Sequence, residues 1–185
     1  MKSFVFTPSC GKSLELISLI STSFTVQNVS IVEELKRKET PVKFIDRIIA
    51  LKAESIENNS NCNTLVCHKS IFVGRTLIKT PESEEEIRQI LKLYSGRNHD
   101  IHSAILLKRA ANGINSIRRT VTRIKVKHLS IEEVDQYVNS GLWKGEIGGY
   151  NFDSIFQSFI IKAIGSTTGA QGLPLYEARN LINNI

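Results

Sequence analysis

The sequence has little cysteine and no long apolar segment, and both shortages narrow the classes of protein it can encode. Its 185 residues contain three cysteines, Cys10, Cys62 and Cys67, an odd number without the spacing of a disulfide framework. A reducing cytoplasm is therefore the expected compartment. The longest apolar stretch, Phe159–Ile164, carries Lys162, so no membrane-spanning helix is expected. The N-terminus reaches polar residues too early for a signal peptide.

Two familiar motifs of nucleotide and metal sites are also missing. The stretch Gly11-Lys12-Ser13 looks like the end of a phosphate-binding P-loop, but the glycine required five positions before Gly11 is replaced by Phe6. Cys62, Cys67 and His68 form C-x4-C-H without a second pair of ligands. A structural cysteine and a strand histidine are a better interpretation of that pattern than a metal site.

The composition that is present is that of an ordinary globular protein with a basic balance. Hydrophobic residues make up 41% of the chain and charged residues 23%, and the formal net charge is +6. This charge favours an anionic partner. Nucleotide, nucleic acid and membrane surface all remain open on charge alone.

Strand-like and helix-like segments alternate along the chain. The patterns predict strands over 2–7, two strands within 64–78 hinged near Gly74, and further strands over 102–107 and 117–127. Helices are expected to begin near residues 13, 41, 83, 130 and 175. This order predicts an α/β fold with a mixed sheet in which the long strand 117–127 runs antiparallel to its neighbours. The length suits one domain or two small lobes.

That long strand carries one basic face. Arg119, Arg123, Lys125 and Lys127 alternate with residues of the opposite face. Solvation is the usual reason for such a face, and nucleic-acid binding is the alternative. Few aromatic residues interleave the charges, which makes a nucleic-acid platform unlikely.

Residues Glu146–Glu177 are the first candidate for the wall of a binding cleft. Two glycine clusters bracket a strand-like segment and lead into the C-terminal helix. A loop before a helix N-terminus readily holds an anion, but on the glycines alone two tight turns between secondary elements are the better interpretation.

Charged residues elsewhere offer candidates for phosphate and metal binding. Lys52 falls close to the apolar face of the second helix, where a lysine either snorkels to water or points into a cleft as a phosphate ligand. Glu33 and Glu34 either hold a magnesium ion or form a solvated acidic turn. Arg97 follows a helix, as a bidentate phosphate ligand or as a surface arginine that complements the helix dipole.

Several short motifs occur in an order that resembles the Maf family of septum-formation-inhibitor-like nucleoside triphosphate pyrophosphatases. They are S-G-R-N-H (Ser95–His99), I-G-G-Y (Ile147–Tyr150), G-L-P-L-Y-E (Gly172–Glu177), R-x4-K (Arg47–Lys52) and V-G-R-x-L (Val73–Leu77). The resemblance implies one Maf/ITPase-like α/β domain over residues 1–185, with a mixed central sheet flanked by helices and two lobes around a deep cleft. It also implies a homodimer in many members, and hydrolysis of a nucleoside triphosphate between its α- and β-phosphates with a divalent metal, Mg²⁺ or Mn²⁺.

Position by position, the resemblance implies a site with several exchanged groups. The family's metal-associated glutamate falls at Glu33 or Glu34, and a phosphate-binding lysine falls at Lys52. The aspartate of its D-T-V motif falls at His68, which could act as the base, and Lys69 follows it. Its specificity glutamine falls at Asp153.

The site expected from this comparison has three groups of residues. They are catalytic His68, Lys52 and Glu33; substrate-binding Ser9, Lys12, Ser13, Lys69, Arg97 and Asp153; and metal-binding Glu33 and Glu34. Two functions follow from the exchanges. The first is a cytoplasmic nucleoside triphosphate pyrophosphatase, with full or reduced activity. The alternative is a Maf-like nucleotide-binding or regulatory protein that does not hydrolyse its ligand.

Overall fold

A computed structural model describes residues 3–56, 62–110, 113 and 115–183. The predicted alternation of strands and helices is confirmed in the described residues. The sequence pattern also predicts a polar loop over Asn58–Asn63 and a turn over residues 110–115, and both lie partly outside the described residues. The strands are β1 Phe4–Thr7, β2 Phe24–Val26, β3 Asn63–Val73, β4 Thr76–Ile78, β5 Asn98–Lys108, β6 Asn115–Val126 and β7 Ile160–Ile164. The helices are α1 Gly11–Ser18, α2 Pro41–Glu54, α3 Glu84–Tyr94, α4 Ile131–Ser140, α5 Thr167–Ala170 and α6 Leu175–Ile182, with 3-10 helices at Ile147–Gly149 and Ile155–Phe159.

The strands form one mixed sheet, as predicted. Its order is β2-β1-β3-β5-β6-β7, and β4 also pairs with β3. Strands β2, β1 and β3 are parallel, whereas β3, β5, β6 and β7 are successively antiparallel. The long basic strand β6 therefore has the antiparallel neighbours that the sequence predicts.

One edge of β3 is open in the middle of the sheet. β1 pairs with β3 only as far as Thr7 opposite Val66, and β4 begins its pairing at Ile78 opposite Ile71. Among the described residues, positions 67–70 of β3 consequently have no strand partner on that side. The open edge leaves space for a cleft between the two parts of the sheet.

The sequence of α2 accounts for its start and its packing. Pro41 occupies the first turn, where a missing N–H costs nothing, and the Thr40 hydroxyl accepts a hydrogen bond from the Lys43 amide at 3.4 Å. The predicted apolar face is confirmed by four side chains that are at most 1% exposed: Phe44, Ile45, Ile48 and Ile49. This face covers the sheet beside β3.

The open edge also separates hydrophobic clusters on both faces of the sheet. On one face, Cys67 packs with α1 and α6, while Ile71 packs with α3 and α4. On the other face, under α2, Val66 and Phe72 belong to two further clusters. Because side chains alternate along a strand, His68 and Ser70 share the α2 face, and Lys69 shares the face of Cys67 and Ile71. The polar residues of β3 thus lie where the clusters are interrupted.

The basic side chains of the β6 face form ion pairs and hydrogen bonds with other residues of the protein. Arg123 makes two 2.8 Å hydrogen bonds to Asp100, Arg119 pairs with Asp46, and Lys127 pairs with Glu133. Lys125 donates to the Gly96 carbonyl at 2.6 Å. Partners of this kind reduce the positive charge available to nucleic-acid phosphates.

Across the described ranges, no helix has both the length and the apolar character needed to cross a membrane.

Candidate active site

Two cavities meet at the open edge of β3. The first, of about 450 Å³, lies between the loop that follows β1 and the 3-10 segment after α4. The second, of about 310 Å³, lies between the Glu33 segment and β4. Lys69 and Ile147 line both cavities, so the two spaces adjoin at Lys69. We call the pair of cavities the cleft.

Lys52 lies beside this cleft in the last turn of α2, where it lines neither cavity itself but contacts Glu33 of the second one. Its side chain is 8% exposed, and its Nζ lies 3.0 Å from His68 Nδ1 and 3.3 Å from Glu33 Oε1. Of the two interpretations of Lys52 in the sequence, the structure therefore favours the cleft over snorkelling to water. The three predicted catalytic residues Lys52, His68 and Glu33 are brought together.

The contact with Lys52 determines how His68 uses its two ring nitrogens. An ammonium group only donates hydrogen bonds, so Nδ1 accepts and the proton of the neutral ring lies on Nε2. Nε2 lies 2.9 Å from Ser70 Oγ and 3.6 Å from Glu33 Oε2. Burial, and then the positive charge of Lys52, hold the pKa of His68 well below its ordinary value. His68 is thus neutral at pH 7 with its lone pair engaged by Lys52, a geometry that does not favour the predicted role of His68 as the base.

Lys69 is the second buried lysine of the cleft. It is 4% exposed and lies opposite Ser103 of β5, whose hydroxyl donates to the Gly169 carbonyl at 2.6 Å. Within the described ranges of the chain, the Lys69 ammonium has no ion pair or hydrogen bond. Because Lys69 lines both cavities, its ammonium is available to an anion bound there.

Ser13 shapes the loop between β1 and α1. Its fully buried hydroxyl accepts hydrogen bonds from the Ser9 and Cys10 amides at 3.1 and 3.3 Å, and it donates to the Cys10 carbonyl at 2.6 Å. The predicted role of Ser13 in substrate binding does not fit these contacts, because the hydroxyl is already engaged and Ser13 lines neither cavity.

Ser9 joins this loop to the second glycine cluster. Its hydroxyl donates to the Gly172 carbonyl at 2.7 Å, and Ser9 lines the first cavity. Gly172 has a φ of +116°, and a Cβ there would lie 2.7 Å from both Cys10 Sγ and Ser9 Oγ. The glycine is therefore required for close approach, a contact between distant segments that the sequence pattern did not reveal.

Lys12 and Asp153, both predicted to bind substrate, pair with each other at the wall of the first cavity. Lys12 Nζ lies 3.2 Å from Asp153 Oδ2 and 2.7 Å from Glu15 Oε2. Glu15, followed by Asp153, raises the pKa of Lys12. Asp153 Oδ1 also accepts a 2.6 Å hydrogen bond from the side-chain Nε2 of Gln171. The two residues are brought together, but as partners of one another.

Arg97 and Glu34 lie away from the two cavities. Arg97 is exposed after α3 and lines neither of them. The Glu34 side chain is exposed, while its carbonyl accepts a 2.8 Å hydrogen bond from Arg47. The predicted roles of Arg97 in substrate binding and Glu34 in metal binding therefore gain no support from this geometry.

Glu39 holds the segment that carries Glu33, and sequence reasoning missed it. Arg47 makes two 2.7 Å hydrogen bonds to the Glu39 carboxylate, and this pairing lowers the pKa of Glu39 to about 2. The same guanidinium binds the Glu34 carbonyl, so the irregular chain before α2 is fastened to the helix that carries Lys52. The R-x4-K spacing contained this signal, since Arg47 and Lys52 lie on one helix.

The donor set around Glu33 does not fit a protein-held divalent metal. Among the described residues, no group of three or more histidine, cysteine, aspartate or glutamate side chains is arranged to hold a metal ion. Glu33 supplies one carboxylate, but Lys52 already contacts it, and the Nδ1 of His68 is engaged by the same lysine. Mg²⁺ and Mn²⁺ prefer several oxygen ligands and would be repelled by two ammonium groups.

Two buried lysines lie at an open strand edge of an α/β sheet, an arrangement whose charge suits a phosphorylated ligand. The chain belongs to the Maf-like proteins, because the model of that family matches residues 13–185. It is 37% identical over 147 residues to a "dTTP/UTP pyrophosphatase" of Maricaulis maris (strain MCS10), covering 80% of this chain and 70% of the relative. It is 30% identical over 187 residues to a protein of the same name from Bradyrhizobium diazoefficiens, covering 97% of this chain and 89% of the relative.

A solved nucleoside-triphosphatase / dITP/XTP pyrophosphatase from Mycobacterium abscessus gives a much more distant match. It is 11% identical, covers 68% of this chain and 75% of its own, and has a TM-score of 0.40.

Proposed function

We propose that this Maf-like protein is a nucleoside triphosphate pyrophosphatase whose site is the open edge of β3. The observation that carries the proposal is that buried Lys52 contacts the half-exposed carboxylate of Glu33, while buried Lys69 lines the cavity that Glu33 also lines. Lysines bind phosphate oxygens, and a carboxylate can take a proton from water. The names of the relatives make dTTP and UTP the first substrates to test.

The proposed reaction is hydrolysis at the α-phosphorus. A water oxygen bonds to that atom, and the bond from it to the oxygen bridging the α- and β-phosphates breaks. The products are a nucleoside monophosphate and pyrophosphate. The proton lost by the water goes to Glu33, whose side chain is 38% exposed and lines the second cavity. Glu33 replaces His68 as our candidate base because the lone pair of His68 is occupied.

The other residues bind and position. Lys52 and Lys69 place positive charge where negative charge grows on the departing pyrophosphate, which stabilises the transition state. His68 is a positioning residue, because it accepts from Lys52 while its Nε2 donates to Ser70. Ser9 and Lys12 of the first cavity remain candidates for contacts with the rest of the nucleotide.

The resemblance implies Mg²⁺ or Mn²⁺, but the donor set does not hold either ion, and no step above depends on one. The deciding assay measures pyrophosphate release from a nucleotide panel, with Mg²⁺, with Mn²⁺ and with EDTA. We expect release from at least one pyrimidine nucleoside triphosphate, and its loss in Glu33→Gln. A folded sample that releases no pyrophosphate under any condition would contradict the proposal.

A nucleotide-binding protein without turnover is the second candidate. The direct Lys52–Glu33 ion pair favours it, because the pairing ties up both the base and a phosphate ligand. It predicts a nucleotide-dependent rise in Tm with no pyrophosphate released. Hydrolysis that Glu33→Gln abolishes would exclude it.

We also propose that the protein acts in the cytoplasm as a homodimer. The three cysteines are unpaired, which suits a reducing compartment. Sedimentation of the purified chain tests the dimer, and a single monomeric species at micromolar concentration would contradict it.

A further inference from the structure

Lys69 differs from Lys52 and Lys12 in having no partner among the described residues, and it differs from exposed Lys79 in being buried. Lys52 is matched by Glu33, and Lys12 is matched by Glu15 and Asp153. Lys69 is as buried as Lys52, yet the described part of the chain offers its ammonium no carboxylate or carbonyl. A charged group that is 4% exposed and lines two cavities points to an anionic ligand in the cleft.

The charge balance at the centre of the cleft is positive before any ion binds. Glu33 contributes one negative charge, Lys52 and Lys69 contribute two positive charges, and His68 is neutral. A divalent cation would add to an excess of positive charge, whereas a polyphosphate would reduce it. Lys79 and Glu82 of the second cavity offset each other. The first cavity is lined by Lys12 and by three carboxylates, Glu15, Glu146 and Asp153, so the excess of positive charge is confined to the centre of the cleft.

The position of Lys69 also explains how one ammonium could reach a chain of phosphates. It lies on the unpaired stretch of β3, on the same face as Cys67 and Ile71, at the place where the two cavities adjoin. A ligand that passes from one cavity to the other must pass Lys69. The central phosphates of an extended polyphosphate are the part of a nucleotide that would lie there.

We propose that Lys69 is a built-in cation that takes the place of a protein-held metal, so that the cleft binds the polyphosphate of a nucleotide in its metal-free form. This inference rests on the proposed function for the identity of the ligand. It concerns binding, so it holds or fails independently of whether hydrolysis follows. The same chemistry would accept inorganic tripolyphosphate.

The test is a calorimetric titration with two probes, inorganic tripolyphosphate and a UTP analogue with a methylene bridge between its α- and β-phosphates. Each is titrated in EDTA and again in excess Mg²⁺. We expect binding in EDTA to be as tight as in Mg²⁺, or tighter. Binding in EDTA that is about tenfold weaker than in Mg²⁺ would overturn the proposal, since a difference of that size equals one lost charge-assisted hydrogen bond.

Variants identify the group responsible. Lys69→Met should weaken tripolyphosphate binding in EDTA by about tenfold or more, the range expected for one hydrogen bond to a charged group. Lys162→Met removes the same charge from exposed β7 and should leave the affinity unchanged. Equal affinities for Lys69→Met and wild type would overturn the assignment. Lys69→Arg keeps the charge and is measured if Lys69→Met does not fold. The comparison of wild-type binding in EDTA and in Mg²⁺ tests the proposal without any variant.

The outcomes separate the two proposals. Binding in EDTA without pyrophosphate release supports the role of Lys69 and contradicts the enzyme. Pyrophosphate release that requires Mg²⁺, together with weak binding in EDTA, supports the enzyme and contradicts the role of Lys69. If the UTP analogue binds tightly and tripolyphosphate does not, the nucleoside supplies the affinity. That result would also contradict the role of Lys69.

Discussion

Lys52 Nζ lies 3.0 Å from His68 Nδ1, so a lysine on α2 is held by a histidine on β3 beneath it. The contact fixes the proton of the histidine on its other nitrogen and directs the lysine towards Glu33. In the proposed site, His68 therefore acts through its neighbours, and its effect on the reaction should depend on its hydrogen-bonding capacity.

Replacement of His68 should distinguish positioning from base catalysis. An asparagine carbonyl can accept from Lys52 in place of Nδ1, so His68→Asn should keep pyrophosphate release within a few fold of wild type. His68→Ala removes the acceptor and should lower kcat by about 10–100-fold. The measurement is kcat as a function of pH for the three proteins.

The pH profile provides the control for this comparison. With His68 as a positioning residue, His68→Asn keeps the shape of the wild-type profile. If His68→Asn is as inactive as His68→Ala and the wild-type profile loses an acid limb in both variants, His68 is the base and our assignment to Glu33 is wrong.

Stability should fall as the solution is acidified below pH 6.5, because buried histidines resist protonation. Burial lowers the pKa of His99 from 6.5 to about 4, and burial also lowers the pKa values of His68 and His102. Between pH 6.5 and the lowered pKa of each histidine, the unfolded chain binds more protons than the native chain. The free energy of unfolding therefore decreases as the pH falls. His99 alone accounts for roughly 3 kcal/mol between pH 6.5 and 4.

Denaturant unfolding at several pH values tests this expectation. His99→Gln keeps a polar partner for Tyr150, which lies 2.6 Å from His99 Nε2, and it should flatten the pH dependence. His128→Gln changes an exposed histidine and should leave the pH dependence of stability unchanged. An equal slope in wild type and His99→Gln would show that His99 protonates freely in the folded protein.

Removal of the Asp153 charge should strengthen nucleotide binding. Asp153 pairs with Lys12 at the wall of the first cavity, where it competes with phosphate for the lysine and repels the ligand. Asp153→Asn should lower the Kd of a nucleotide about threefold, and the gain should shrink in high salt because the pair is partly exposed. Calorimetry at two ionic strengths measures the nucleotide Kd of wild type and Asp153→Asn.

Glu84→Gln on α3 is the matched control, since it removes an exposed carboxylate that lines neither cavity of the cleft. It should leave the Kd unchanged. Weaker binding by Asp153→Asn would instead mean that this carboxylate contacts the nucleotide, as the family comparison implies for its position.

Local sequence signals predicted most of the fold. The apolar face of α2, the start of α4 after Ser130 and the hinge at Gly74 all lie where the pattern placed them. Each of these features depends on residues within a few positions of one another. Periodicity and capping chemistry are therefore sufficient to find them.

The site was harder to predict because its contacts join distant segments. The pattern brought Lys52 and Glu33 forward as candidates and the family resemblance added His68, but their contacts depend on the packing of α2 over β3. The gap between β1 and β4 follows from strand register, which no local motif encodes. Arg97 was proposed from a helix-end position, and that position lies away from the cavities.

Gly172→Ala should loosen the first cavity by forcing apart two segments that touch. A Cβ at this position would meet Cys10 Sγ and Ser9 Oγ at 2.7 Å, and φ is +116°, so alanine is excluded by contact and by conformation. Strain of this kind costs about 1–3 kcal/mol, which denaturant unfolding would detect. Gly11→Ala is the matched control, because nothing lies within 4 Å of its Cβ and alanine favours the helix. Equal stability of the two variants would mean that the Ser9 loop moves freely relative to Gly172, in which case the wall of the first cavity is not fixed by this contact.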